Sequence, residues 1–289
     1  MVDDIKKEID IEKIIKKIDK LPTLPLIVTK LSELIKNPNT SANDIQNIIA
    51  KDQALTARIL KLVNSAFYGF SERISSMSHA IVILGFNTIK NVALTASVFD
   101  MFGKKEEKDV FNKEAFWMHS IAVAGTARVV AKHLRVPIME DVFIAGLLHD
   151  VGKVILDQYL PNEYAKVCAL IKEKNCLIAE AEYEVLDFTH SQVGGYLTTH
   201  WKLPPGLVQM VGLHHRPELG GDLAKATFCI HLADILVRAM EIGSGGDNKI
   251  PIINKKLWEE FGLNEQVLQL IMIDMQNELR DVEQFVRGM

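Results

Sequence analysis

Apolar residues along this chain recur mostly at helical spacing, and few stretches alternate as a half-buried strand would. Ile11, Ile14, Ile15 and Ile18 form an i, i+3, i+4, i+7 stripe, while six lysines and six acids in the first twenty residues cover the other faces. Residues 1–20 therefore read as an amphipathic helix that must dock its stripe on something. In LPTLPLIV, Pro22 and Pro25 end that helix, and Pro25 suits the first turn of the next, which runs to about Ile35. Asn37-Pro38-Asn39 marks a turn. Thr40 or Ser41 can cap a short helix through Ala50 with Asp44 in its first turn, and Asp52 caps another whose Leu55, Ile59, Leu62 and Val63 share a face. SSMSHAIVILGFNTIKNVALTASVF reads as a capped helix, a break at Gly85 and a second helix.

The charge cluster KKEEKD at Lys104–Asp109 predicts a surface hinge. Beyond Phe111 the pattern predicts longer helices over about 112–134, 139–149, 161–174, 178–187, 189–200, 205–213 and 222–241. SGGDNK at 244–249 reads as a flexible break, and 254–289 as a helical extension. The expected organisation is thus an N-terminal amphipathic helix (1–20), an N-terminal helical subdomain (21–103), a helical bundle (110–241), and a linker with a C-terminal extension (242–289). The fold class is all-α, with the subdomain packed against the bundle.

At 289 residues and 48% hydrophobic content, the chain can bury one large core or two modest ones without cross-links. Cys168, Cys176 and Cys229 are odd in number, lack CxxC spacing and neighbour apolar residues, so they read as buried thiols in a reducing compartment. The charged amino terminus lacks a signal-peptide core, and no run of about eighteen apolar residues occurs, which predicts a cytoplasmic protein with no membrane partner. A net charge of -4 argues against holding a polyanion by general attraction. Residues 41–65 do have a helix-turn-helix look, but their cations are only Lys51, Arg58 and Lys61, and apolar residues fill much of the rest. Packing within a bundle is the better reading, and nucleic acid is not the expected partner.

The chemistry concentrates in the second half. His149 and Asp150 end the apolar run FIAGLLHDVGK, where a dry imidazole and carboxylate need a partner that a divalent metal supplies. Lys153 lies one turn on, so its ammonium could meet an anionic substrate beside the metal, and Gly152 keeps the backbone between them open. His119 sits among Phe116, Trp117, Ile121 and Val123, and Asp234 is flanked by apolar neighbours in HLADIL. A lone buried histidine is more often a hydrogen-bonded core residue than a ligand, and His231 reads that way, as packing or supporting the site. His79, His133 and His200 stand near helix ends and are set aside.

Together, His119, His149-Asp150 and Asp234 resemble the H…HD…D signature of the HD phosphohydrolase superfamily. KDQALTARILKLVNSAFYG, ISSMSHAIVILGFNTIKNVAL, LLHDVGK, FTHSQVGGYLTTHW and the His214-His215 pair look like the HDOD family of bacterial signalling output domains, over roughly residues 21 to 240. That resemblance implies a helical subdomain on an HD-like bundle and a regulatory role through a signalling protein partner. Many HDOD proteins have lost metal ligands, whereas His119, His149, Asp150, Asp234 and Lys153 all remain here. Similar HD-GYP phosphodiesterases add histidines, and His190, His214 and His215 stand at matching positions. The glutamate that trimetal members carry four residues before the first histidine is Ala115 here, with Glu114 one step off, and the HHE and GYP elements are absent. Three metals and cyclic di-GMP specificity are therefore not expected.

The resemblance implies two divalent ions bridged by Asp150, with His119, His149 and Asp234 on one and His190, His214 and His215 on the other. Nitrogen and oxygen ligands suit iron, manganese, zinc or nickel without choosing among them. Asp150 and Lys153 are the candidate catalytic residues if a small phosphoester is hydrolysed in line. Three functions stand open at this level: a regulatory HDOD module, a metal-dependent phosphohydrolase or phosphodiesterase acting on a nucleotide-like phosphoester, and, behind these, a DNA-binding regulator using residues 41–65.

Overall fold

A computed structural model of the chain describes residue 18 and residues 21–64, 73–102 and 112–280. Every regular element among the described residues is helical, and they contain no strand. Ile11, Ile14 and Ile15 of the opening stripe, the charge cluster at 104–109 and the chain beyond residue 280 lie outside the described residues, whereas Ile18 is buried. The described residues form two compact units, one drawn from Thr23–Lys104 and the chain after Met275, the other from Lys105–Met275 and the chain up to Pro22.

The first unit contains α1 (Leu26–Ile35), α2 (Ala42–Ile49), α3 (Gln53–Val63) and α4 (Met77–Phe102). Local chemistry sets the starts of two of these. Ser41 Oγ accepts the Asp44 N–H at 3.2 Å while the Asp44 carboxylate accepts the Ser41 N–H at 2.9 Å, a reciprocal cap for α2. Asp52 Oδ1 accepts the Leu55 N–H at 2.9 Å and starts α3. Leu31, Ile45, Ile49, Ile59, Ile81 and Ile89 meet in one core, so α2 and α3 turn their apolar faces into the bundle. Arg58, one of the three cations on the helix-turn-helix-like pair, is engaged by Asp100 of α4.

Gly85 interrupts α4 at φ 77, a left-handed backbone that disfavours any residue with a Cβ. By length and composition α4 is long and apolar enough to cross a membrane, the one such helix among the described residues, yet 56% of its most apolar stretch is buried. A core helix meets the same test.

The second unit carries α5 (Lys113–His133), α6 (Met139–Leu148), α7 (Val151–Tyr159), α8 (Pro161–Lys174), α9 (Ile178–Leu186), α10 (His190–His200), α11 (Pro205–Gly212), α12 (Ala224–Ala239), α13 (Lys255–Glu260) and most of α14 (Glu265–Leu279). Helix α5 packs on both α6 and α12, α10 packs on α7 and α11, and α9 packs on α8. Small residues set the spacing of α5 and α6: a Cβ on Gly146 would stand 3.0 Å from the Ala124 backbone.

Three expectations need correction. Residues 151–159 form helix α7, an element absent from the sequence-based expectation; it is only nine residues long, and Val151 to Asp157 are all buried, Lys153 and Asp157 included. Residues 244–249 are irregular as expected, but they are tied down by hydrogen bonds and not a free linker. Of the three thiols only Cys229 is buried, while Cys168 on α8 and Cys176 after it are partly exposed; none is in a disulfide.

Candidate metal centre

The break between α6 and α7 builds the centre of the site. His149 keeps helical angles at the end of α6, and Asp150 (φ -99, ψ 4) turns the chain into α7, so adjacent side chains project into one space. His119 comes from α5, His190 opens α10, His214 and His215 follow α11, and Asp234 comes from α12. The structure brings all seven predicted ligand residues together. His119, His149, Asp150, His190 and His214 are fully buried, Asp234 nearly so, and His215 is partly exposed.

Their donor atoms fall into two sets, His119–His149–Asp234 and Asp150–His190–His214–His215, with the atoms of each set within 4.8 Å of one another. Asp150 lies between them. Its Oδ2 is 3.2 Å from His149 Nε2 and 3.8 Å from His119 Nε2, while its Oδ1 is 3.2 Å from His190 Nε2 and 3.8 Å from His214 Nε2. His119 Nε2 also stands 3.0 Å from Asp234 Oδ1.

The outer ring nitrogens explain why these atoms suit a cation. His149 Nδ1 faces the Gly146 carbonyl at 2.7 Å, His214 Nδ1 faces the Val211 carbonyl at 2.8 Å, and His190 Nδ1 faces Glu182 Oε2 at 2.6 Å. An acceptor at Nδ1 holds the proton there, so each neutral ring keeps its lone pair on Nε2, aimed inward. Buried His149 Nε2 and Asp150 Oδ1 have no hydrogen-bond partner. His190 Nε2 lies 3.0 Å from His215 Nε2 and 3.4 Å from His214 Nε2, so converging lone pairs need a shared proton or a cation. A nitrogen- and oxygen-ligated divalent metal fits both requirements.

Charges around the sets point the same way. Burial alone would raise the Asp150 carboxyl, but His149 and Lys153 outweigh it and hold it well below the usual carboxylate range. Burial is likewise opposed at Asp234, chiefly by Arg238, with the same result. Burial pushes His119, His214 and His215 down, whereas at His190 the Glu182 carboxylate overcomes burial and raises it. The buried carboxylates Asp150, Asp157, Glu182, Asp234 and Asp247 outnumber the buried cations around the sets, Lys153 and Arg238, which leaves an excess of negative charge when the imidazoles are neutral.

Lys153 is placed differently from the expectation that its ammonium faces substrate. It is buried, donating to Asp150 Oδ2 at 2.6 Å and to the Gly245 carbonyl at 2.7 Å. Its ammonium is thus engaged by Asp150 and by backbone. Gly245 belongs to a strap, residues 243–249, whose place here its composition does not announce. Asp247 secures it, accepting from Arg238 Nη1 at 3.0 Å, the Lys249 N–H at 2.8 Å and, through Oδ2, the Ile178 N–H at 2.9 Å. The same Arg238 donates Nε to Asp234 Oδ1 at 2.8 Å, which couples strap and ligand set.

Spacing also missed Glu182, eight residues before His190 on a different helix. His231, read as supporting the site, places Nδ1 3.1 Å from the His214 carbonyl. The position four residues before His119 is taken up by the strap: the Ser244 N–H donates to the Ala115 carbonyl at 2.9 Å, and Glu114 is exposed.

The family model for the HDOD domain matches residues 21–217. The chain belongs to the HDOD domain family. That match includes His119, His149, Asp150, His190, His214 and His215, and leaves Asp234 and the strap beyond its end. The HDOD fold recurs in the crystal structure of an HDOD domain protein of unknown function from Geobacter sulfurreducens, 25% identical, TM-score 0.81, covering 95% of each chain. It recurs in a "Putative phosphohydrolase" from Shewanella amazonensis SB2B, 21% identical, TM-score 0.73, covering 95% of this chain and 98% of that one; at such identity the likeness is one of fold. A curated "Uncharacterized protein" of Treponema pallidum (strain Nichols) is 26% identical over 227 residues, 78% of this chain. The chain spans 44% of that relative's length.

Proposed function

We propose that this HDOD protein holds two divalent metal ions and hydrolyses a phosphomonoester. The observation that carries the reading is the position of Asp150, with one oxygen toward each of two donor sets. Divalent ions bound there would supply the Lewis acidity that phosphoryl transfer to water requires. The chain's own part is to hold that charge: Asp150 between the sets, Lys153 fixing Asp150, and Arg238 fixing Asp234.

Charge balance favours an anionic substrate. Two divalent ions would more than offset the excess of buried negative charge, and a phosphomonoester, anionic near neutral pH, meets the remainder. A cavity of about 500 Å³ adjoins the first donor set. His119 lies on its wall, and Arg238, Glu241, Asn248 and Lys249 are among the rest of its lining. That volume accommodates a small phosphate ester.

The test combines elemental analysis of protein purified without chelator with turnover of p-nitrophenyl phosphate. About two metals per chain and hydrolysis that disappears in Asp150→Ala are expected; well under one metal per chain defeats the reading.

A second reading is a cytoplasmic bacterial signalling module that acts through a protein partner, with the metals structural. The complete burial of His149, Asp150, His190 and His214 favours it, because closed sites are the usual form of structural ones. Metal-loaded protein without hydrolysis of mono- or diesters would select it.

A further inference from the structure

We infer that Glu182 is the positioning residue of the second donor set, fixing His190 as an Nε2 ligand; the inference rests on the metal-holding reading above. One carboxylate oxygen does two things. Glu182 Oε2 accepts the His190 backbone N–H at 2.8 Å and faces the ring Nδ1 of the same residue at 2.6 Å. Gripping backbone and ring through a single acceptor removes the ring's freedom to turn about its side-chain bonds. Both side chains are fully buried, so no water competes for either contact.

This arrangement differs from those of the other histidines. His149 and His214 hand Nδ1 to carbonyls three residues back in their own chain, acceptors that any side chain leaves in place. Among the described ligand histidines, His190 alone turns its Nδ1 to a carboxylate, from the separate helix α9. A carboxylate at Nδ1 fixes the tautomer and makes the opposite nitrogen a stronger donor. That nitrogen is the one nearest Asp150 Oδ1, His214 Nε2 and His215 Nε2, at the middle of the second set. Glu182 touches nothing in the first set, so its effect should be confined to one ion.

The decisive comparison is Mn(II) uptake by metal-free wild type and Glu182→Gln, counting bound ions by electron paramagnetic resonance. Gln keeps the shape and an acceptor oxygen but removes the charge. The expected result is two ions in wild type and, in Glu182→Gln, one ion bound as in wild type with the second weakened about 10- to 100-fold. Equal affinity for both ions in the variant overturns the positioning role while leaving the metal reading intact. Wild type that takes up no Mn(II) overturns both. Because a purely structural role could also cost affinity, nitrogen-15 spectra of the imidazoles supply a second readout in metal-free protein. His190 Nδ1 is expected to be protonated in wild type and to lose its hydrogen-bonded shift in Glu182→Ala; an unprotonated Nδ1 in wild type overturns the inference.

Discussion

Gly152 on α7 and His190 at the start of α10 approach so closely that a Cβ on Gly152 would stand 2.0 Å from the His190 carbonyl oxygen. The contact is backbone against backbone, so no flexible side chain can give way. It brings α7, which carries Lys153, against the first turn of α10, which carries the central ligand of the second set.

Gly152→Ala is accordingly expected to destabilise the protein by about 1–3 kcal/mol or more, as overpacking does in a dense core. It should also lower the metal count, because His190 has to move to admit the methyl group. Denaturant unfolding and elemental analysis on the same preparation check both; unchanged values in the two would show that the helices separate freely.

Much of this was legible in the sequence. Ser41, Asp52 and Gly85 announced element ends because capping and positive-φ backbone are local effects written in single residue types. His149 and Asp150 were legible because an imidazole and a carboxylate in an apolar run are costly without a partner, whereas His119, Asp234, His190, His214 and His215 were legible as ligands only through the family resemblance. What stayed hidden depends on neighbours distant in sequence. Glu182, Arg238 and Asp247 are ordinary surface residue types whose burial follows from tertiary packing alone, and the strap's composition is that of an unattached linker. Helix α7 escaped because it is short and follows α6 directly after the turn at Asp150, whose side chain does not cap its start.

Asn64 tests the first unit separately. Its amide donates to the Leu60 and Ile74 carbonyls, each at 2.7 Å, and accepts the Ile74 N–H at 2.7 Å, pinning both sides of the connection from α3 towards α4. Asn64→Ala strands these backbone groups and should cost about 1–3 kcal/mol. Calorimetry checks the cost, and metal uptake should match wild type because every donor lies in the other unit.

Acid should weaken the chelated protein. His119, His214, His215 and His231 have folded pKa values below the ordinary imidazole value of 6.5, so the unfolded chain binds more protons as pH falls through that value. Their contribution to stability is intact above 6.5 and is lost towards their lower folded values. His190, raised, works in the opposite direction, but it is one group against four. The unfolding midpoint of metal-free protein is therefore expected to fall between pH 7.5 and pH 5.5, by a margin of roughly several degrees for each 2 kcal/mol lost in a chain of this size. A midpoint that rises over this interval would mean that His190 dominates.

The strap makes the last case, because it links substrate access to charge balance. Asp247→Ala removes the acceptor for the Ile178 and Lys249 N–H groups and one of two for Arg238 Nη1, which keeps the Lys249 carbonyl, at about 1–3 kcal/mol for each donor left buried without a partner. Arg238 retains Asp234, so the first donor set should keep its geometry. Gly243 anchors the other end: its φ is 68, and a Cβ there would stand 2.4 Å from both the Ala115 carbonyl oxygen and the His119 nitrogen. Freeing one end should therefore loosen residues 244–249 without releasing them, and hydrogen exchange in Asp247→Ala should rise there while staying slow in α5 and α6. Since the Gly245 carbonyl holds the Lys153 ammonium, loosening it would also give that ammonium room to reach a phosphate. Faster p-nitrophenyl phosphate turnover in Asp247→Ala than in wild type would mark the strap as a restraint on catalysis; slower turnover with metal content intact would mark it as part of the substrate wall.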